Sequence, residues 1–180
     1  PAAAKATIDY LSISTLGNTQ DFGDISSGTR YRAGCAASRT RGVFAGGVPE
    51  TADIHFITIA STGNSTDYSN LTDSKAATSG CSNQTRALFS GGYDGSSGGT
   101  LNLIDFVTIA STGDTTDFGD LTNPTAFAGG GVDNNSRGVI GGGTEDGVGM
   151  TNKIEYITIA TTGDASDFGD LTEARFGPGG

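Results

Sequence analysis

Side chains able to do covalent or acid–base chemistry are scarce in this chain. His55 is its one histidine, and Cys35 and Cys81 are its two cysteines. A single imidazole builds neither a nucleophile–base triad nor a zinc site by itself. The counterparts of His55 in three similar segments are Asp9, Asp105 and Glu155, so the position reads as a polar slot on a strand. Cys35 and Cys81 follow Gly34 and Gly80, and Val132 follows Gly131 at what aligns as the matching place. A position shared with valine reads as a small apolar core site. No base stands near either thiol in sequence to activate it, and equivalent positions on neighbouring strands can lie too far apart for a disulfide.

Two further sets could bind rather than react. In "TGDTTDFGD", Asp114, Asp117 and Asp120 stand three apart, and Asp164, Asp167 and Asp170 repeat them. Calcium takes roughly six to eight oxygen ligands and suits such clusters. The spacing is not that of an EF-hand loop, however, and Asn64 and Asn70 replace two carboxylates in another copy. An Asp-rich turn bonded to its own backbone is the reading preferred here. The second set lies in "VPETAD", "YDGSSGGTLNL" and "TEDGVGMTNK", three connections that vary while their flanks stay constant. Variable loops on a constant frame commonly carry binding. Tyr93, Asp94, Glu145, Asp146 and Met150 are the candidate ligand-binding residues, with exposed linker as the competing reading. No catalytic residue, metal ligand or cofactor is assigned, and no enzymatic activity is expected.

These positions are set by an internal repeat. Four segments align without gaps: "IDYLSISTLGNTQDFGDI", "IHFITIASTGNSTDYSNL", "IDFVTIASTGDTTDFGDL" and "IEYITIATTGDASDFGDL". They start at Ile8, Ile54, Ile104 and Ile154, spaced 46, 50 and 50 residues apart. Between them recur "RGVFAGG", "RALFSGG" and "RGVIGGG". Each period reads as four short strands, a to d: a small-residue run, the Arg-to-double-Gly run, the Ile-aromatic run and the Asp-aromatic run. The turn between c and d is "TLGN", "STGN", "STGD" or "TTGD", suited to a tight hairpin. Strand c is apolar on both faces, with Ile54 and Phe56 on one side and Ile57 and Ile59 on the other. Such a sheet needs a neighbour on each side. The expected fold is therefore all-β, a β-propeller of stacked four-stranded blades. The arginine should bridge to an acidic residue or a carbonyl of the next blade.

Blades are expected at residues 29–72, 73–122 and 123–172, with a partial blade of strands c and d at 8–25. Residues 173–180 would start the closing or next blade, giving about 3.5 blades in a single repeat domain, 1–180. Three readings of that count stand. The favoured one is a piece of a longer propeller; the others are a four-bladed ring with one incomplete blade, and copies that complete each other's edges. A β-solenoid is the alternative architecture, though fifty residues is long for one coil.

The pattern resembles the kelch repeat, which carries a double glycine after its second strand and aromatics in its third and fourth. Here these are Gly46-Gly47, Gly91-Gly92 and Gly142-Gly143, then Phe56, Phe106 and Tyr156, then Tyr68, Phe118 and Phe168. Kelch repeats usually have Trp in the fourth strand, and this chain has none. The phrasing of "VTIASTGDTTDFGDLT" and "ITIATTGDASDFGDLT" also resembles repeats of tail-fibre and other virion structural proteins of marine bacteriophages. That resemblance implies a non-enzymatic structural or adhesive propeller of a phage particle, located in the virion and extracellular. Its partners would be other virion proteins, copies of itself, or a host surface glycan or protein. The alternative is a cellular kelch-type protein-interaction or carbohydrate-binding propeller. A third class, the copper-dependent kelch-like oxidases, is disfavoured by the lone histidine. The formal net charge of −10 disfavours nucleic acid as a partner. No apolar run is long enough to span a bilayer, so no membrane insertion is expected.

Overall fold

The computed structural model describes residues 5–28, 30–129 and 131–177. Among these residues there is no helix; every regular element is a strand. The first repeat contributes β1 (Thr7–Tyr10) and β2 (Gln20–Asp24), paired as a hairpin. The second forms the sheet β3 (Gly34–Ala37), β4 (Arg41–Ala45), β5 (Thr51–Thr58) and β6 (Thr66–Lys75), in that spatial order. In the third, β7 (Ser79–Ser82) and β8 (Arg86–Ser90) precede a small hairpin, β9 (Tyr93–Asp94) and β10 (Gly99–Thr100). Its sheet is completed by β11 (Leu103–Thr108) and β12 (Thr116–Asp120). The fourth begins with β13 (Thr125–Ala126), then β14 (Val132–Asp133), β15 (Arg137–Gly141), β16 (Thr144–Glu145) and β17 (Gly149–Met150). It ends with β18 (Lys153–Thr158) and β19 (Ser166–Asp170). β14, β15, β18 and β19 make the third four-stranded sheet, and β13, β16 and β17 a small satellite. All pairings are antiparallel, so each large sheet is a simple meander. The described residues do not close into a ring.

Apolar side chains fill the slabs between neighbouring sheets. Val43, Ile54 and Tyr68 of one sheet pack with Phe89, Val107 and Ile109 of the next. Leu88, Ile104 and Phe118 then pack with Ile140, Ile157 and Ile159. This is how both faces of a central apolar strand leave water. The expectation for Ile59 fails: it is 46% exposed, whereas Ile109 and Ile159 are fully buried. Ile109 and Ile159 each pack against a complete preceding sheet. The sheet before Ile59 has only β1 and β2.

A bulge recurs where strands c and d pair. Ile104 faces Gly119 but Asp105 faces Asp117, leaving Phe118 as the extra residue, and the same skip occurs at Phe22, Tyr68 and Phe168. A bulge bends its strand and re-aims a side chain. Here it accompanies an aromatic that meets the strand-c ring edge-on, at 5.9, 5.9, 5.7 and 6.1 Å between centroids in the four repeats.

The double glycines have a specific cause. Gly46 and Gly47 lie at φ of 66° and 116°, and the pairs Gly91-Gly92 and Gly142-Gly143 match them closely. The chain entering the next repeat crosses directly over the first glycine of each pair. A Cβ there would lie 2.3 Å from the Lys75 carbonyl oxygen, 2.2 Å from that of Thr125 and 2.5 Å from that of Arg175. The second glycine donates its N–H to the same carbonyl, at 3.0, 2.9 and 2.9 Å. Any side chain would block this crossing, and the left-handed φ favours glycine in any case.

The two cysteines do not occupy matching places, contrary to the sequence alignment. Ser79 pairs with Ser90 just as Gly34 pairs with Ala45. Cys35 therefore corresponds to Gly80, and Cys81 to Ala36 and Val132. A one-residue shift turns a strand side chain to the opposite face. Cys81 is buried and Cys35 exposed.

Candidate functional site

The most distinctive local geometry lies just before each strand a. Arg32, Ala77, Phe127 and Gly177 have φ of 60°, 56°, 55° and 61°. Three of the four are not glycine, and such residues rarely adopt this conformation. The four turns are joined in relay: Ala77 N–H donates to the Arg32 carbonyl at 2.8 Å, Phe127 to Ala77 at 3.1 Å, and Gly177 to Phe127 at 2.8 Å. They are thus one turn repeated four times, each positioned by the one before.

All four turns line a single cleft of about 460 Å³. Arg32, Phe127 and Phe176 give it its chemistry, while Gly34, Ala77 and Gly80 keep it open. The Arg32 guanidinium lies 4.9 Å from the Phe127 ring centroid and 5.5 Å from that of Tyr31. A second cleft of about 290 Å³ shares Arg32, Ala77 and Phe127 and adds Tyr31, Glu50 and Tyr93. Aromatic faces with a guanidinium, phenol hydroxyls and one carboxylate suit a ligand with flat apolar faces and a polar rim, such as a sugar ring.

The five loop residues separate into different environments. Tyr93 borders the smaller cleft. The Asp94 carboxylate accepts from Ser96 N–H and Oγ, both at 2.8 Å, and from Ser97 N–H at 3.1 Å. Hydrogen bonds from the Ser97 and Ser96 side chains and backbone hold its pKa down at about 2. Glu145 is buried; it accepts from Asn123 at 2.8 Å and pairs with Lys153 at 3.2 Å. Burial works to raise its carboxyl, but these partners outweigh it and hold the pKa below the ordinary value. Asp146 reaches the neighbouring loop and accepts the Thr100 N–H at 2.8 Å. Met150 is exposed on the satellite hairpin. Glu50 likewise faces Gly95 across the other pair of loops, so the three variable connections touch in succession.

The remaining polar candidates join one sheet to the next. His55 Nδ1 lies 3.3 Å from Ser26 Oγ. Burial lowers its pKa, against the raising influence of Asp53 and Asp67. At the same place Asp105 accepts from Thr72 Oγ1 at 2.7 Å and pairs with fully buried Lys75 at 2.8 Å. Glu155 accepts the Thr122 N–H at 2.8 Å. The Asp-rich turns do the same work: Asn64 and Asp164 accept the Asp24 and Asp120 N–H groups, and Asp114 accepts from Ser69 Oγ. Asp117 and Asp167 cap their own turns through Gly119 and Gly169 N–H. Among the described residues, no three His, Cys, Asp or Glu side chains come together as a metal site. The Cys81 thiol is pushed up to about 12 by burial and then by Asp133, which suppresses the nucleophilic thiolate.

The recurring arginines stack and bridge. Arg41, Arg86 and Arg137 lie 4.3, 4.8 and 4.5 Å from the centroids of Phe56, Phe106 and Tyr156. Arg41 donates to the Ile109 carbonyl at 2.8 Å, and Arg86 to those of Ile159 and Ala160 at 3.1 and 2.9 Å. Of the two bridges anticipated from sequence, a carbonyl of the next sheet is the one formed. Sequence reasoning did not single out Arg32, Phe127 or Phe176. Arg, Ala, Phe and Gly share no chemistry by which their equivalence could be recognised. No protein-family model matches this chain, and no curated protein matches it.

Proposed function

We propose that this chain is a non-enzymatic adhesive module of a bacteriophage particle, a tail-fibre or virion-surface propeller that holds a host surface glycan or protein. Residues 29–72, 73–122 and 123–172 each serve as a kelch-like blade, residues 8–25 as a partial blade, and residues 173–180 start the closing or next blade. Of that last segment, residues 178–180 lie outside the described residues.

One observation carries the binding part of this reading: four equivalent turns converge on one cleft bearing Arg32, Phe127 and Phe176. A cleft shared by successive repeats offers aromatic stacking surfaces on a rigid frame, and few convergent polar groups suffice to orient a ligand. The assignment to a phage particle rests on the resemblance of the "VTIASTGDTTDFGDLT" phrase. Two measurements test the two parts. A glycan array should show binding that Arg32→Ala and Phe127→Ala each abolish while the melting temperature stays within a few degrees; binding unaffected by both changes sinks the cleft. Mass spectrometry of purified virions should find this sequence in the particle; its presence only among host cellular proteins favours a cellular kelch-type interaction module instead.

A further inference from the structure

The four turns that meet at the cleft share a backbone conformation but not a side chain. Gly177 takes a left-handed φ freely, whereas Arg32, Ala77 and Phe127 hold it at a cost that glycine avoids. Residues kept in a costly conformation cluster where ligands are held. Arg32 is the charged member of the four, and it is exposed. The ion pairs among the described residues are Arg30–Asp53, Lys75–Asp105, Lys153–Glu145 and Arg175–Glu173, and Arg32 enters none of them. The chain has 20 Asp and Glu against 10 Lys and Arg. A carboxylate partner is easily supplied in such a chain, yet the Arg32 guanidinium lies instead over the rings of Phe127 and Tyr31.

Stacking on ring faces fixes the plane of a guanidinium and leaves its edge N–H groups to donate. That fork matches a carboxylate, which it binds through two parallel hydrogen bonds. Arg32, Ala77 and Phe127 line both the larger and the smaller cleft, so the guanidinium stands at their junction. Phe127 and Phe176 offer ring faces on one side of it; on the other, Tyr31 and Tyr93 add hydroxyls and Glu50 a carboxylate. Among the described residues, Arg32 is the single cation lining either cleft. This arrangement fits a ligand with one negative charge near its middle and neutral, hydroxyl-bearing ends. A polysulfated or polyphosphate chain would meet one cation here and a net charge of −10 around it, which repels it.

We infer that the cleft holds an oligosaccharide by an acidic sugar residue, whose carboxylate takes the two-bond contact with Arg32. The inference rests on the glycan-binding reading of this cleft and adds the class of glycan, a uronic- or sialic-type acid within an otherwise neutral chain. The acidic ring stacks on Phe127, and its neighbour reaches the hydroxyls of Tyr31 and Tyr93. Glu50 accepts from sugar hydroxyls. Arg32 thus sets which glycan is chosen, and Phe127, whose ring serves both clefts, sets whether any is held.

A glycan array printed with acidic glycans, each beside its carboxyl-reduced form, tests this. The wild-type chain should bind carboxylated glycans, and reduction of the carboxylate to a hydroxymethyl group should weaken binding at least about tenfold. Arg32→Gly should melt no lower than wild type, because glycine suits the left-handed turn. It should nevertheless bind the acidic glycans no better than their reduced forms. Phe127→Ala should lose both. Binding of neutral glycans that Phe127→Ala abolishes would overturn the acidic specificity and leave the cleft standing. Sulfated glycans that outrank carboxylated ones, or an acidic preference that survives Arg32→Gly, would do the same. Binding untouched by either variant, or no binding to any printed glycan, overturns the glycan reading of the cleft as well.

Discussion

Phe118 and Phe168 stand in the same phrase, "DFGDLT", on the same bulge of the same strand. Each meets its strand-c ring edge-on at nearly the same distance. Yet Phe118 is 2% exposed and Phe168 is 56% exposed. The difference lies in the adjoining sheet: β18 and the turn that follows it cover Phe118, and no described strand covers Phe168. Local sequence thus sets the conformation of a repeat, while its neighbour sets its burial. Stability in such an array belongs to interfaces as much as to units.

Substituting equivalent residues inside the stack and at its ends measures that contrast. The largest effect is expected at the buried ion pair. Asp105→Ala leaves the buried Lys75 without its carboxylate partner and should cost about 3–5 kcal/mol, whereas Asp9→Ala, at the exposed equivalent, should cost no more than about 0.5 kcal/mol. Chemical denaturation of both variants reads this directly, and equal losses would break the comparison. Next, Phe118→Ala should cost about 3 kcal/mol through the cavity it opens. Phe168→Ala should cost under about 1 kcal/mol.

The arginines extend the comparison to polar contacts. Arg86→Ala loses both its carbonyl bonds and its stack, for about 2 kcal/mol. Arg137→Ala loses only the stack, for about 0.5–1 kcal/mol. Thermal melts should rank them in that order, and a reversed order would show that the carbonyl bridge adds nothing. The smallest effect is one of pH. Burial lowers the His55 pKa in the folded chain, so the unfolded chain takes up the proton first as pH falls through about 6.5. The stabilisation from keeping His55 neutral is full above that value and is lost below it. The melting-temperature gap between wild type and His55→Asn should therefore narrow between about pH 7.5 and 5.5. A gap that widens on acidification would reverse the sign.

The sequence made the strands legible because their periodic cues are local. Arg86 to Ser90 and the double glycine after it mark strand b to the residue. The Ile-aromatic runs and the Gly-Asn or Gly-Asp turns mark strands c and d. Strand a aligns one residue out of register because Gly34-Cys35 and Gly80-Cys81 look alike, while pairing to strand b sets the true register. Lys75 gives no sign of burial; its partner Asp105 lies thirty residues away and in the next sheet. The cleft is harder still. Its four turns share a backbone conformation, and no side-chain property repeats with them. Of the candidate loop residues, Tyr93 reaches a cleft wall, whereas Asp94 and Glu145 are occupied by their own neighbours.

The crossing over each double glycine gives the chain a mechanical order. The strand entering a repeat is clasped by the repeat before it, through Gly47 on Lys75, Gly92 on Thr125 and Gly143 on Arg175. Tension applied at the carboxyl end loads the Arg175 clasp first, and the Thr125 clasp bears load only after the last sheet has come away. The molecule under force therefore unravels from that end in discrete steps, one repeat at a time. An array clasped in this way would yield gradually, dissipating load with each released repeat.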